Sequence, residues 1–159
     1  MDLNHGDLRI SAPAFEFDAP IPERFSNAAG DTSPELQWSN VPDGTVELVL
    51  VVHDPDAPLA DGFTHWVATG IDPSSSGLPE GAQEGFTAGV NTAGTGGYMG
   101  PAPPPGHGNH HYFFHLYALD ASLDASGPLT RDEVLERTEG HIIEQARTVG
   151  TYRIDGHST

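Results

Sequence analysis

Glycine and proline interrupt this sequence so often that long regular elements are excluded over most of its length. The chain of 159 residues holds 19 glycines and 14 prolines. Such punctuation favours short strands joined by turns. Val46 to Val52 is the clearest strand, and its near-continuous Val and Leu content predicts burial on both faces, hence a central place in a sheet. It stops at Asp54-Pro55-Asp56-Ala57-Pro58, because proline cannot donate to a ladder. Phe63 to Ile71 and His110 to Leu119 read as two further core strands, and Leu8 to Ser11 as a short first one. A long loop, Asp72 to Gly108, lies between the later two, and loops of that length in a compact domain are commonly functional. Helix is expected only near the end. Thr130-Arg131-Asp132-Glu133 has the form of a capping box, and Gly140 is placed to stop the helix that follows. A second short helix is expected over His141 to Arg147, then a closing strand from Val149 to Ile154. The length suits one domain, residues 1–159, and no linker divides it.

Charge narrows the function classes. The 23 acidic residues face six arginines and no lysine, a formal net charge of −17. This argues against nucleic acid and against stable association with anionic membrane, which need a basic patch. An acidic, lysine-free surface is expected of a salt-adapted cytoplasm, where concentrated salt screens the repulsion. Cysteine is absent, so disulfides and thiolate chemistry are excluded. Residues 1–7 lack the charged and apolar regions of a signal peptide, and no apolar run approaches the roughly 20 residues that span a bilayer. A soluble cytoplasmic protein is the expectation.

Three segments carry chemistry. Asp54 is held between a strand end and a proline. In Phe63-Thr64-His65-Trp66-Val67, strand alternation puts Phe63, His65 and Val67 on one face and Thr64 and Trp66 on the other. After the stiff loop Gly100-Pro101-Ala102-Pro103-Pro104-Pro105-Gly106, the same alternation groups His110, Tyr112, Phe114 and Leu116 against His111, Phe113, His115 and Tyr117. Each segment taken alone also fits a plain structural role. Asp-Pro starts turns, and a strand histidine is often a satisfied core residue.

Together, Asp54 to Pro58, His65-Trp66, and Gly-Pro-x-Pro-Pro-x-Gly ahead of His-x-Tyr resemble the signature blocks of the phosphatidylethanolamine-binding protein family, in its bacterial and archaeal Raf kinase inhibitor-like branch. Supporting stretches include Ser33 to Trp38, Val41 to Thr45, Gly77 to Gly81, Tyr117 to Asp120, and Glu139 to Tyr152. The resemblance implies a mostly β fold, a large central sheet packed on a smaller one, with short C-terminal helices. It implies a shallow pocket for phosphate, a carboxylate or a phosphoryl head group. Carried over by position, the ligand-binding residues are Asp54, His65, His110 and Tyr112, with Gly100 and Pro101 in the wall. A homodimer is also implied. The family's usual arginine between His110 and Tyr112 is His111 here, its tryptophan and arginine ahead of the proline block give way to Asn91-Thr92-Ala93-Gly94-Thr95, and its cysteine is Ala102.

The expected function is reversible binding of a small anion, without catalysis or cofactor. A protein-level regulator, inhibiting a protease or kinase through the pocket rim, is the alternative. No serine or cysteine nucleophile stands in a recognisable elbow, and no carboxylate pair is spaced for hydrolysis. His107, His110, His111 and His115 invite a metal reading, but alternation sends His110 away from His111 and His115, so no resident metal is expected.

Overall fold

The structure, a computed structural model, describes residues 6–123 and 127–154. The reading of the N-terminal segment therefore falls largely outside the described residues. Among the described residues nine strands form two sheets. They are β1 (Arg9–Ser11), β2 (Ala19–Pro20), β3 (Leu36–Ser39), β4 (Glu47–Asp54), β5 (Phe63–Ile71), β6 (Gly77–Leu78), β7 (Thr87–Ala88), β8 (His110–Leu119) and β9 (Ile142–Tyr152). The large sheet has the order β2-β9-β8-β4-β5-β7 and the small one β1-β3-β6. The long loop between β5 and β8 is thus not structureless, since it lends β6 to one sheet and β7 to the other.

Every residue of β4 is buried, as the apolar run predicts for Leu48 to Val52, whereas Val46 lies outside the strand and is exposed. Leu48, Leu50 and Val52 face the small sheet and meet Trp66, Tyr112, Phe114, Leu36 and Trp38 in the main core. Val49 and Val51 face the other way, against Val67, Tyr117, Leu123, Leu129 and Val134. That second layer is closed by helix α1 (Arg131–Thr138). Its capping box forms as read, with Thr130 Oγ1 accepting from the Glu133 N–H at 3.2 Å and Glu133 Oε1 accepting from the Thr130 N–H at 3.0 Å. Gly140 follows in the left-handed region, at φ 80°.

The second helix expected over His141 to Arg147 does not form. His141 lies in the turn after α1, and Ile142 to Arg147 begin β9, which pairs with β8 from Leu119↔Ile142 to His110↔Tyr152. A lone short helix is marginal by itself. A strand in its place satisfies the whole outer edge of β8, and the β-branched Ile142, Ile143, Thr148 and Val149 suit a sheet. α1 is the one α-helix among the described residues.

Candidate functional site

Asp54 is the last residue of β4 and is buried. Its two oxygens do separate work. Oδ1 accepts the Asp56 N–H at 2.7 Å, forming the turn expected of Asp-Pro. Oδ2 accepts from Nδ1 of His110 at 2.6 Å. Asp54 therefore both forms the turn and holds His110, and a carboxylate bound at both ends cannot drift. Asp56, which sequence reasoning left without a role, ties the same turn to β8. Its Oδ2 accepts from the backbone N–H and from Nδ1 of His111, each at 2.7 Å. Burial pushes the Asp56 carboxyl up, but those hydrogen bonds outweigh it and hold the group below its ordinary range. His111, the residue in the family's arginine position, is thereby committed to Asp56.

His65 reaches the site through a departure from strand alternation. Val52 pairs with Trp66 and His53 with Thr64, so His65 is an extra residue with no partner on β4. This is a β-bulge, which re-aims side chains. Trp66 packs in the main core and Val67 in the second layer. Beside Trp66, His65 sets its ring edge-on to Tyr112 at 5.1 Å and against Phe63 at 4.7 Å. The expected grouping of His65 with Val67 is corrected accordingly. A bulge leaves no clear sequence signal, because the apolar pattern on either side of it is intact.

The Met99 carbonyl sits 2.7 Å from Nδ1 of His65, and a carbonyl only accepts, so the proton is on Nδ1. The Met99 N–H returns a bond to the His65 carbonyl at 2.9 Å. Nε2 is the ring nitrogen left for a ligand. Burial lowers the His65 imidazole below its ordinary value, opposed in part by the Met99 carbonyl, the Asp54 charge and the Gly100 backbone. Tyr112 is almost wholly buried, and burial with the Asp54 charge raises its phenol, so it stays protonated and can donate.

Asp54, His65, His110 and Tyr112 line one cavity of about 250 Å³. Its walls are apolar: Ala57, Pro58, Leu59, Phe63, Met99, Ala102, Pro103 and Pro104. Gly100 and Pro101 are not among the lining residues. They lie behind it, where the Gly100 N–H donates to Asp31 Oδ1 at 2.9 Å and the Pro101 carbonyl accepts the Asn27 N–H at 3.1 Å. A Cβ on Gly100 would collide with the Phe25 carbonyl and with Ser26. The glycine is thus required by close approach of two backbones rather than by a ligand. Ala102, Pro103 and Pro104 form the wall in their place.

Alternation along β8 holds. His110, Tyr112, Phe114 and Leu116 are buried on one face, while His111, Phe113, His115 and Tyr117 stack along the other at 5.9 to 6.5 Å between rings. His107, grouped in the sequence only with metal candidates, instead meets His110, Nδ1 to Nε2 at 2.6 Å. Among the described residues, no three His, Asp or Glu side chains are grouped to hold a metal ion.

Residues 11–153 match the family model described as phosphatidylethanolamine-binding protein. The chain belongs to the phosphatidylethanolamine-binding protein family. Relatives of this family member include a UPF0098 protein of Chlamydia trachomatis, 40% identical over 152 residues that cover 93% of this chain and all of the relative. A Mycobacterium tuberculosis protein named as the lipoprotein LppC is 41% identical over 150 residues, 91% of this chain and 72% of the relative. Among solved structures, a phosphatidylethanolamine-binding protein homologue from Chlamydia trachomatis superposes with a TM-score of 0.87 at 40% identity, covering 93% of this chain and 98% of its own. The Escherichia coli family member YbcL gives a TM-score of 0.86 at 26% identity, covering 94% and 100%. No helix among the described residues of this family member is long and apolar enough to cross a membrane.

Proposed function

We propose that this family member reversibly binds a small anion, such as a carboxylate, phosphate or phosphoryl head group, without chemistry on it. The observation that carries the reading is the convergence of Asp54, His65, His110 and Tyr112, from three separate strands, on one apolar-walled cavity. Tyr112 supplies a hydroxyl donor. His65 supplies Nε2, which becomes a second donor when the incoming charge draws a proton onto it. The apolar walls keep water from competing for these bonds, which strengthens them. No arginine lines the cavity, and Asp54 contributes negative charge. Both features favour a singly charged anion over a dianion.

The sign of the pH dependence follows from His65. Its lowered pKa leaves it neutral at and above neutrality. Anion binding requires the proton, so affinity rises as pH falls from 8 towards 5.5. Calorimetric titration of acetate and of phosphate in molar salt tests this across that range, with His65→Ala as the control. The proposal requires binding that strengthens towards acid and is lost in His65→Ala. Absence of heat and of chemical-shift change at Tyr112 at every pH would refute it.

A further inference from the structure

His110 enters the site with both ring nitrogens engaged. Nδ1 meets Asp54 Oδ2 at 2.6 Å and Nε2 meets His107 Nδ1 at 2.6 Å. The Asp54 carboxylate accepts, so that proton belongs to His110 Nδ1. The contact between the two imidazoles needs one N–H and one lone pair. Whichever ring supplies the proton, the second nitrogen of His110 is occupied by protein rather than open to a ligand.

The two partners of His110 differ in how firmly they are held. Asp54 is buried and bonded at both oxygens. His107 is exposed and stands between Gly106 and Gly108, both in the left-handed region at φ 74° and 84°. Its backbone is fixed by a turn, with the His107 N–H on the Pro104 carbonyl at 3.1 Å and the Gly106 N–H on the Ile154 carbonyl at 2.8 Å. Among the described residues the ring's hydrogen-bond and ring contacts are to His110, at 4.8 Å between centroids, and exposed side chains change rotamer on a fast timescale.

We propose that His107 is a displaceable cap on His110, so that an anion bonds to His110 only after the His107 ring has swung away and a proton drawn from solvent by the incoming charge has filled Nε2, leaving His110 an imidazolium between the anion and the Asp54 carboxylate. The inference rests on the anion-binding reading and concerns access within that site. It makes His107 a specificity-determining residue. A ligand must offer His110 a better hydrogen bond than a neighbouring imidazole does, which a charged acceptor achieves and water or an alcohol does not.

Calorimetry with acetate compares the wild type, His107→Ala and His65→Ala, while ring ¹⁵N spectra of the wild type follow His107 through the titration. Removing the cap removes an internal competitor worth one ordinary hydrogen bond, so His107→Ala should bind acetate roughly 2- to 10-fold more tightly. The His107 ring signals of the wild type should move to solvent-exposed values at saturation. Unchanged or weaker binding by His107→Ala overturns the cap, weaker binding marking His107 as an anion ligand instead. Static His107 signals at saturation overturn it equally. If no variant, His107→Ala included, binds acetate or inorganic phosphate, the site reading fails and the cap with it.

Discussion

Replacing His115 by phenylalanine should make the fold less sensitive to acid. His115 lies on the face of β8 away from the cavity, stacked between Phe113 at 5.9 Å and Tyr117 at 6.1 Å. Burial, with the charges of Arg147 and Arg131, lowers its imidazole from the ordinary 6.5 to about 4. The folded state therefore holds His115 neutral where the unfolded chain has already taken up a proton. A depressed pKa gives stability that is present above the unfolded value and lost as pH falls towards the folded one. Between pH 7 and pH 5 the loss covers roughly 1.5 pH units at about 1.4 kcal/mol each, or about 2 kcal/mol. His115→Phe keeps an aromatic ring in the stack and removes the titration. Urea unfolding at the two pH values isolates this group, because other titrating residues are common to both proteins. With a slope of about 2 kcal/mol per molar, the wild-type midpoint should fall by about 1 M more than that of the variant. Parallel losses in the two proteins would show that His115 titrates normally, and the reasoning from burial would be wrong.

Three further outcomes follow from the same structure. Gly100→Ala should cost about 1–3 kcal/mol through steric overlap with the Phe25 carbonyl, while the folded fraction keeps its acetate affinity, as urea melts and calorimetry would show. Asp54→Ala removes the partner of buried His110 and the acceptor of the Asp56 N–H. It should cost about 3 kcal/mol, or roughly 10 °C in Tm by calorimetric scan. The net charge of −17 predicts that Tm climbs as potassium chloride is raised to 1 M, where the screening length is about 3 Å. A maximum in dilute buffer would contradict that.

What could be read from the residues alone was whatever rests on local pattern. The Val46 to Val52 run announced a strand buried on both faces, which holds for Leu48 to Val52 but not for exposed Val46. The alternation of β8 separated His110 and Tyr112 from His111 and His115, and Thr130 with Glu133 marked where a helix begins. Each of these signals lies within a few residues, where period and capping chemistry are visible. The four polar residues around the cavity were legible through ordered sequence blocks, not through any one of them. The remainder depended on partners far away in the chain. Residues 142–147 became strand because β8 had an edge to fill, and His65 turned towards Tyr112 because an unpaired residue shifts the register against β4. Gly100 and Pro101 moved behind the cavity because the segment around Phe25 and Asn27 packs against them, and His107 met His110 because a turn between two glycines folds back over the site. Register and close approach are settled by the sum of many long-range contacts, and no short stretch of sequence contains that sum.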